Sequence, residues 1–117
     1  MILRTVRLLQ GIRCDLSNEK AVQRDIGLFL ETADLGYKAE YKLDAKNRLD
    51  FFHEESGIAI EIKVNKGSAK SIYKQCVRYC QFPEVQGLIL VTNRAMGFPE
   101  HLNNKPCYVV SLGRGWL

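Results

Sequence analysis

One stretch of the chain places apolar residues at the three- and four-residue spacing of an amphipathic helix. It follows Ser17 or Asn18, both good N-cap residues, and it is predicted to end at Gly36, a natural left-handed residue after a helix. Its buried face would carry Val22, Ile26, Phe29 and Ala33. Residues 1–13 suit both a short helix and an edge strand, so the sequence leaves that element open.

The pattern then changes to that of strands. Residues 37–45 alternate apolar and charged side chains, which predicts a strand with one wet face. The next segments are a short strand, RLDFF, a turn, HEESG, and an apolar strand, GIAIEIKV. Only two charged residues interrupt that last strand, and they need an explanation.

A second helix is predicted after these strands. Ser68 suits its N-cap, and the helix should run to about Gln81 and stop before Pro83. Its buried face would carry Ile72, Cys76 and Cys80, flanked by Tyr73 and Val77.

Two apolar runs, 87–92 and 107–112, are typical of buried strands, and Pro99 is predicted to open a short helical turn between them. The order is therefore helix, three strands, helix, strand, strand. It predicts an α/β fold with a mixed central β-sheet of about five strands flanked by helices. At 117 residues the chain suits one domain, residues 1–117, with a core of about 17–112.

Composition narrows the class of protein only a little. Hydrophobic residues make up 46% and charged residues 26% of the chain, as in ordinary globular proteins. The net charge of +4 is compatible with a polyanionic partner. Arginines interrupt the first apolar run, so no signal peptide or membrane span is expected and the predicted location is the cytoplasm.

The four cysteines lack the CxxC pairs of a structural zinc site, and we expect reduced thiols. They are Cys14, Cys76, Cys80 and Cys107. Cys76 and Cys80 lie one helical turn apart, which leaves a metal role open beside that of small buried hydrophobes.

The two charged residues of the apolar strand are Glu61 and Lys63, which lie two apart and should share one face of the sheet. If the preceding hairpin is centred between Glu55 and Ser56, Asp50 lies directly across from Glu61. Two facing carboxylates repel each other, and a divalent cation would relieve that repulsion. The alternative is a structural salt bridge between Lys63 and one of the acids.

A polar pair follows on the second helix. Gln75 and Tyr79 lie one turn apart in the segment QCVRY, at the flank of the buried face. A helix packed over the apolar strand could present both side chains to the acidic cluster. They are also compatible with a helix-boundary glutamine and a half-buried tyrosine.

These motifs resemble those of the PD-(D/E)XK nuclease superfamily, which has a restriction-endonuclease-like core of αβββαβ order. QCVRY is similar to the Q-x-x-x-Y motif of its RecB-type branch, and the resemblance covers about residues 17–112. Leu49 stands where the superfamily's name-giving proline would precede Asp50. The resemblance implies a hydrolase, a Mg²⁺-dependent (or Mn²⁺-dependent) nuclease acting on DNA, for example an endonuclease or junction resolvase, and commonly a homodimer.

The resemblance also implies residue roles. Asp50, Glu61 and the backbone carbonyl of Ile62 would hold the metal, and Lys63 would orient or deprotonate the attacking water. Gln75 and Tyr79 would position the lysine or the substrate phosphate. Many members add a glutamate from the first helix. Glu19 is the candidate here, with Gln23 as the second choice.

Phosphate contacts are expected on the loop and exposed side of the second helix, unless this is only a solvated basic face. The residues concerned are Lys66, Lys70, Lys74 and Arg78. Arg94 and Arg114, in predicted loops, are further candidates with the same alternative. Structural roles are expected for His53 and His101, and packing or a subunit contact for Trp116. Two other functions stay open: a catalytically inactive nucleic-acid-binding module on the same fold, and a protein unrelated to nucleic acid whose charged pair is structural.

Overall fold

The computed structural model describes residues 1–65 and 67–113 of the chain. This part has a mixed α/β fold with three helices and one six-stranded sheet. The helices are α1 (Ile2–Gln10), α2 (Glu19–Thr32) and α3 (Ala69–Tyr79). The strands are β1 (Lys38–Lys42), β2 (Arg48–His53), β3 (Ile58–Lys63), β4 (Gly87–Thr92), β5 (His101–Leu102) and β6 (Lys105–Ser111). The α/β class is thus confirmed, with one strand more than expected.

The element that the sequence left open is the helix α1. Thr5, Val6 and Leu9 are its buried residues, which is the arc that a helix and not a strand would bury. It packs against β4 and β6. Its apolar arc therefore lies on the sheet, as expected for the helical alternative.

The predicted start of α2 is confirmed, but its predicted end is wrong. The Asn18 side chain accepts a hydrogen bond from the Ala21 backbone N–H at 2.8 Å, which makes Asn18 the N-cap. The helix ends at Thr32, and the first left-handed residue after it is Asp34 (φ 53°). Gly36 (φ 83°) lies two residues further on. An aspartate tolerates the left-handed region, so the helix did not need the glycine.

The strands lie in the order β1-β2-β3-β4-β6-β5. The first three form an antiparallel meander, and β3, β4 and β6 are parallel. One apolar cluster joins α1 and α2 to the face of β3 that carries Ile58, Ile60 and Ile62, as predicted. The other joins α3 to the opposite face. The helix α3, capped by Ser68 as predicted, thus covers the face that should carry the acidic cluster.

Gly57 closes the hairpin between β2 and β3. Its φ is +74°, and a Cβ at this position would lie 2.7 Å from the Glu84 carbonyl oxygen. The Gly57 carbonyl also accepts a hydrogen bond from the Gln86 N–H at 2.7 Å. The hairpin turn therefore needs glycine, and it ties β3 to the segment before β4.

The region between β4 and β6 differs from the prediction. Pro99 opens no helical turn, and β5 instead pairs antiparallel with the start of β6. The two connecting residues, Asn103 (φ 50°) and Asn104 (φ 61°), are both left-handed, as a type I′ hairpin turn requires. The asparagine pair is thus the local signal for the sixth strand.

All four cysteines are free and buried, as expected for reduced thiols that fill core positions. In residues 1–65 and 67–113, no helix combines the length and apolar character needed to cross a membrane.

Candidate active site

The pairing of β2 and β3 places Asp50 opposite Glu61. The paired residues are Phe51 with Ile60, Phe52 with Ala59 and His53 with Ile58, so the hairpin is centred between Glu55 and Ser56 as predicted. The next pair in this register is Asp50 with Glu61. Backbone pairing stops just before them, which leaves the two strands to separate where the two carboxylates lie.

The carboxylates take over the hydrogen bonds that the strands no longer make to each other. Asp50 Oδ2 accepts from the Ile62 backbone N–H at 2.8 Å, and Glu61 Oε1 accepts from the Asp50 backbone N–H at 3.3 Å. Each acid is therefore held by the backbone of the opposite strand. These two hydrogen bonds hold both side chains in place.

A distortion of β2 makes this arrangement possible. Leu49 and Phe52 both belong to the apolar cluster of α3, whereas Phe51 faces the other cluster. Strict alternation would put residues 49 and 52 on opposite faces, so it must break between them, where Asp50 lies. Glu40, which the β1–β2 register puts opposite Asp50, has a φ of 52°. The acids thus converge through an irregular strand and not through the regular pleat that the sequence argument assumed.

Burial makes both acids unusual. The Glu61 side chain is only 4% exposed, and the Lys63 ammonium lies 3.6 Å from its Oε2 atom. Desolvation and the nearby Asp50 carboxylate raise the pKa of Glu61 to about 8 despite the opposing effect of Lys63. Desolvation also raises the pKa of Asp50, against the lowering effect of the Ile62 N–H. Two negative charges are hard to maintain here with one lysine as the counter-charge.

The first turns of α2 reach the site, and both candidates from this helix, Glu19 and Gln23, line the cavity with Asp50 and Glu61. Gln23 Nε2 donates to Asp50 Oδ1 at 3.2 Å, so the second choice makes the direct contact. Glu19 Oε1 instead accepts from the Val64 backbone N–H at 3.1 Å. Glu19 still lies close enough to raise the pKa of Asp50. It therefore borders the acidic pair and supports the end of β3.

The polar pair of α3 faces the site as predicted. Gln75 Nε2 donates to the Tyr79 hydroxyl at 3.0 Å, and that hydroxyl donates to the Arg48 carbonyl oxygen at 3.1 Å. Burial, followed by the Glu61 carboxylate, raises the pKa of Tyr79 to about 12, so the hydroxyl keeps its proton at neutral pH. Tyr79 thus ties α3 to the strand that carries Asp50, and Gln75 lines the site beside it.

These groups open into one mainly polar cavity of about 440 Å³. Besides the residues above, its walls include Lys42, Asp44, Lys46, Asn47, Arg48 and Arg78. Most of these belong to the β1–β2 hairpin, which the sequence argument did not single out. Of the predicted phosphate-binding residues, Arg78 lines the cavity, whereas Lys70 and Lys74 are exposed on α3 outside it. Lys66 lies outside the described residues.

The oxygen atoms of the site could supply some, but not all, of the ligands that a hard divalent cation needs. Asp50 and Glu61 supply carboxylate oxygens, and the Ile62 N–H points to the gap between β2 and β3. A strand residue directs its N–H and C=O to the same side, so the Ile62 carbonyl also faces that gap. Within the described residues, however, no three His, Cys, Asp or Glu side chains form a metal-binding group. A cation would therefore need these two acids, one carbonyl and water or phosphate oxygens.

The remaining candidates lie away from the cavity. His53 is buried, and its Nδ1 atom accepts from the Ser56 N–H at 3.1 Å, which is a structural role in the hairpin turn. His101 and Arg94 are exposed outside the cavity. Arg114 and Trp116 lie outside the described residues.

Comparisons with models of protein families, with curated proteins and with solved structures find no match to this chain.

Proposed function

We propose that this protein is a metal-dependent nuclease of the PD-(D/E)XK type that hydrolyses phosphodiester bonds of DNA. One observation carries the proposal: the buried Glu61 carboxylate, the partly buried Asp50 carboxylate and Lys63 meet where a β-hairpin separates, and they open into a cavity lined by further basic side chains. A stable fold gains little from an isolated acidic pair of this kind, whereas a cation-binding hydrolytic site needs it.

The proposed cation is Mg²⁺ or Mn²⁺, held by Asp50, Glu61 and the Ile62 carbonyl. When bound, it would polarise a phosphoryl oxygen and lower the pKa of a coordinated water. The reciprocal bonds between β2 and β3 support this assignment, because they hold both acids in place before a cation arrives. Pre-organised ligands lose little conformational freedom on binding.

Lys63 is the proposed catalytic residue closest to the attacking water. Its ammonium lies beside Glu61 and its side chain is 22% exposed, so it can reach both the acid and a phosphate in the cavity. There it would orient the water and stabilise the negative charge that develops on the phosphoryl oxygens. The water oxygen forms a bond to phosphorus and gives up one proton, one P–O ester bond breaks, and the leaving oxygen takes up one proton, so the step consumes one water and leaves no net charge change in the protein.

A second candidate is a nucleic-acid-binding module that does not turn over. It is favoured by the position of Glu19, whose carboxylate bonds to the Val64 N–H and so does not complete a three-acid centre. Such a module would bind nucleic acid in the cavity lined by basic side chains but would not cleave it.

The test is an activity screen on supercoiled plasmid, linear duplex, single-stranded and branched DNA, and RNA, each with Mg²⁺, Mn²⁺, Ca²⁺ or EDTA. We expect cleavage with Mg²⁺ or Mn²⁺, loss with EDTA, and loss in Glu61→Gln and Lys63→Met. Arg7→Gln is the matched control, because Arg7 is exposed on α1 outside the cavity. Binding without cleavage of any substrate would contradict the nuclease and support the inactive nucleic-acid-binding module. Sedimentation of the active species tests the predicted homodimer.

A further inference from the structure

We infer that the β1–β2 hairpin, together with Arg78, is the phosphate-binding surface that holds the nucleic-acid backbone over the candidate site. We call this surface the cationic rim and define it by Lys42, Lys46, Arg48 and Arg78, all of which line the cavity. The inference rests on the proposed function for its ligand. The sequence predicted that lysines of α3 contact the nucleic-acid phosphates, whereas this inference assigns those contacts to the β1–β2 hairpin.

Several hydrogen bonds close the hairpin turn, which suits a surface that must position a ligand. Asp44 Oδ1 accepts hydrogen bonds from the Lys46 N–H at 2.8 Å and the Asn47 N–H at 2.7 Å. The Leu43 N–H also donates to the Asn47 carbonyl oxygen at 2.8 Å. These bonds hold the turn closed, so Lys46 projects from a fixed backbone. They also occupy the Asp44 carboxylate, the one acid of the hairpin turn.

Arg78 joins this hairpin to α3. Its Nε atom donates to Asn47 Oδ1 at 2.7 Å, and its guanidinium lies 5.5 Å from the centre of the Tyr79 ring. A guanidinium has five N–H donors, so a single bond through Nε leaves the other four for phosphate oxygens. Asn47 is therefore a positioning residue for Arg78, and Arg78 is the phosphate ligand.

No rim side chain forms an ion pair with an acid within the described residues, although the Asp44 carboxylate interacts electrostatically with Lys46. The ion pairs found there are Arg24–Asp25, Lys38–Glu54 and Lys63–Glu61, none of which involves a rim residue. The rim side chains Lys42, Lys46, Arg48 and Arg78 are exposed. A polyanion would supply the missing counter-charges and release its own counterions on binding.

The surface should contact phosphates and not bases. Among the described residues, Tyr79 is the one aromatic side chain that lines the cavity, and it is only 3% exposed. It cannot serve as a platform on which a base stacks. Contacts to the backbone carry no direct sequence information. We therefore expect binding that depends strongly on salt and weakly on sequence.

The test measures binding in EDTA, where no cation-dependent cleavage occurs. The probes are fluorescein-labelled duplexes of two unrelated sequences, a single strand of the same length, and the matching RNA forms. Anisotropy titrations at about 50 to 200 mM NaCl give the slope of log K against log salt. The variants are Lys42→Gln/Lys46→Gln, Lys70→Gln/Lys74→Gln, and Arg4→Gln/Arg7→Gln, which removes two exposed charges from α1 and so controls for net charge.

We expect the rim variant to lower the slope by about 1.8 for a DNA duplex and to weaken binding about tenfold, because two phosphate contacts are lost. The other two pairs should change the slope by less than half as much. An equal or larger effect of the α3 pair, an equal effect of the α1 pair, or salt-independent binding by the parent protein would each overturn the inference. A parent protein that binds through the rim but cleaves nothing would instead overturn the proposed nuclease activity.

Discussion

The Asp50 carboxylate accepts the backbone N–H of Ile62 across the hairpin at 2.8 Å. A side chain thus takes the place of a strand carbonyl at the point where β2 and β3 separate. The consequence is that Asp50 has a structural role and a proposed catalytic role through the same carboxylate. A variant must keep the first role if it is to test the second.

Asp50→Asn meets that condition, because an amide oxygen can still accept from Ile62 while the negative charge is lost. We expect this variant to unfold at nearly the same urea concentration as the parent protein and to lose calorimetric Mn²⁺ binding. Asp50→Ala should lose Mn²⁺ binding too. It leaves a polar N–H unsatisfied, which costs about 1–3 kcal/mol, offset in part by relief of the repulsion with Glu61. Unchanged Mn²⁺ affinity in Asp50→Asn would make the acid purely structural.

The raised pKa of Glu61 predicts a pH-dependent stability. In the unfolded chain this group loses its proton near pH 4.5, whereas the folded protein keeps the proton up to about pH 8. Between these values the folded state holds more protons, so the free energy of unfolding falls as pH rises. Glu61→Gln removes the titration.

We therefore expect the Tm of Glu61→Gln to exceed that of the parent protein at pH 8 and above, with the difference shrinking towards pH 5. Differential scanning calorimetry across this range measures it. A Tm difference that stays constant with pH would contradict the assignment of the raised pKa to Glu61.

The register of the central hairpin could be predicted because two local signals agreed. The turn residues between β2 and β3 and the alternation on both sides put the centre between Glu55 and Ser56, and the paired strands confirm it. The distortion at Asp50 could not be predicted, because it depends on how Leu49 and Phe52 pack against α3. Periodicity describes a regular strand and gives no sign of where it breaks.

Other differences have similar causes. The sequence of α1 also fits a strand, and the structure shows it as a helix that packs its apolar arc on β4 and β6. The strand β5 is two residues long, too short for any periodicity, although Asn103-Asn104 is a turn signal that could have been used. The sequence does not show that the β1–β2 hairpin lies beside α3. The contact between Asn47 and Arg78, 31 positions apart in the chain, brings the hairpin lysines to the cavity.

Gly57 offers a test of the hairpin that carries Asp50 and Glu61. In Gly57→Ala the new Cβ would lie 2.7 Å from the Glu84 carbonyl oxygen, at a residue with a positive φ. Because that oxygen belongs to the backbone, it cannot easily move away from the clash. We expect destabilisation of about 1–3 kcal/mol in urea unfolding. Gly97→Ala is the matched control, because a Cβ there meets nothing within 4 Å and should change stability little. Similar midpoints for both variants would show that the turn can rearrange.

The last prediction separates two neighbours on α3. Gln75 lines the cavity and donates to Tyr79, whereas Lys74 is exposed outside it. In Gln75→Ala the Tyr79 hydroxyl keeps its bond to the Arg48 carbonyl, so thermal stability and Mn²⁺ affinity should hardly change. Cleavage should slow by about 10- to 100-fold if Gln75 positions the lysine or the phosphate mainly in the transition state.

Lys74→Ala should leave the rate at saturating DNA unchanged and weaken binding only modestly, with a small reduction in its salt dependence. Single-turnover cleavage and anisotropy together distinguish the two effects. Small and equal effects from both variants would show that QCVRY is only a helix surface. The proposed nuclease would then rest on the Asp50, Glu61 and Lys63 cluster, because Gln75 would have no part in the transition state.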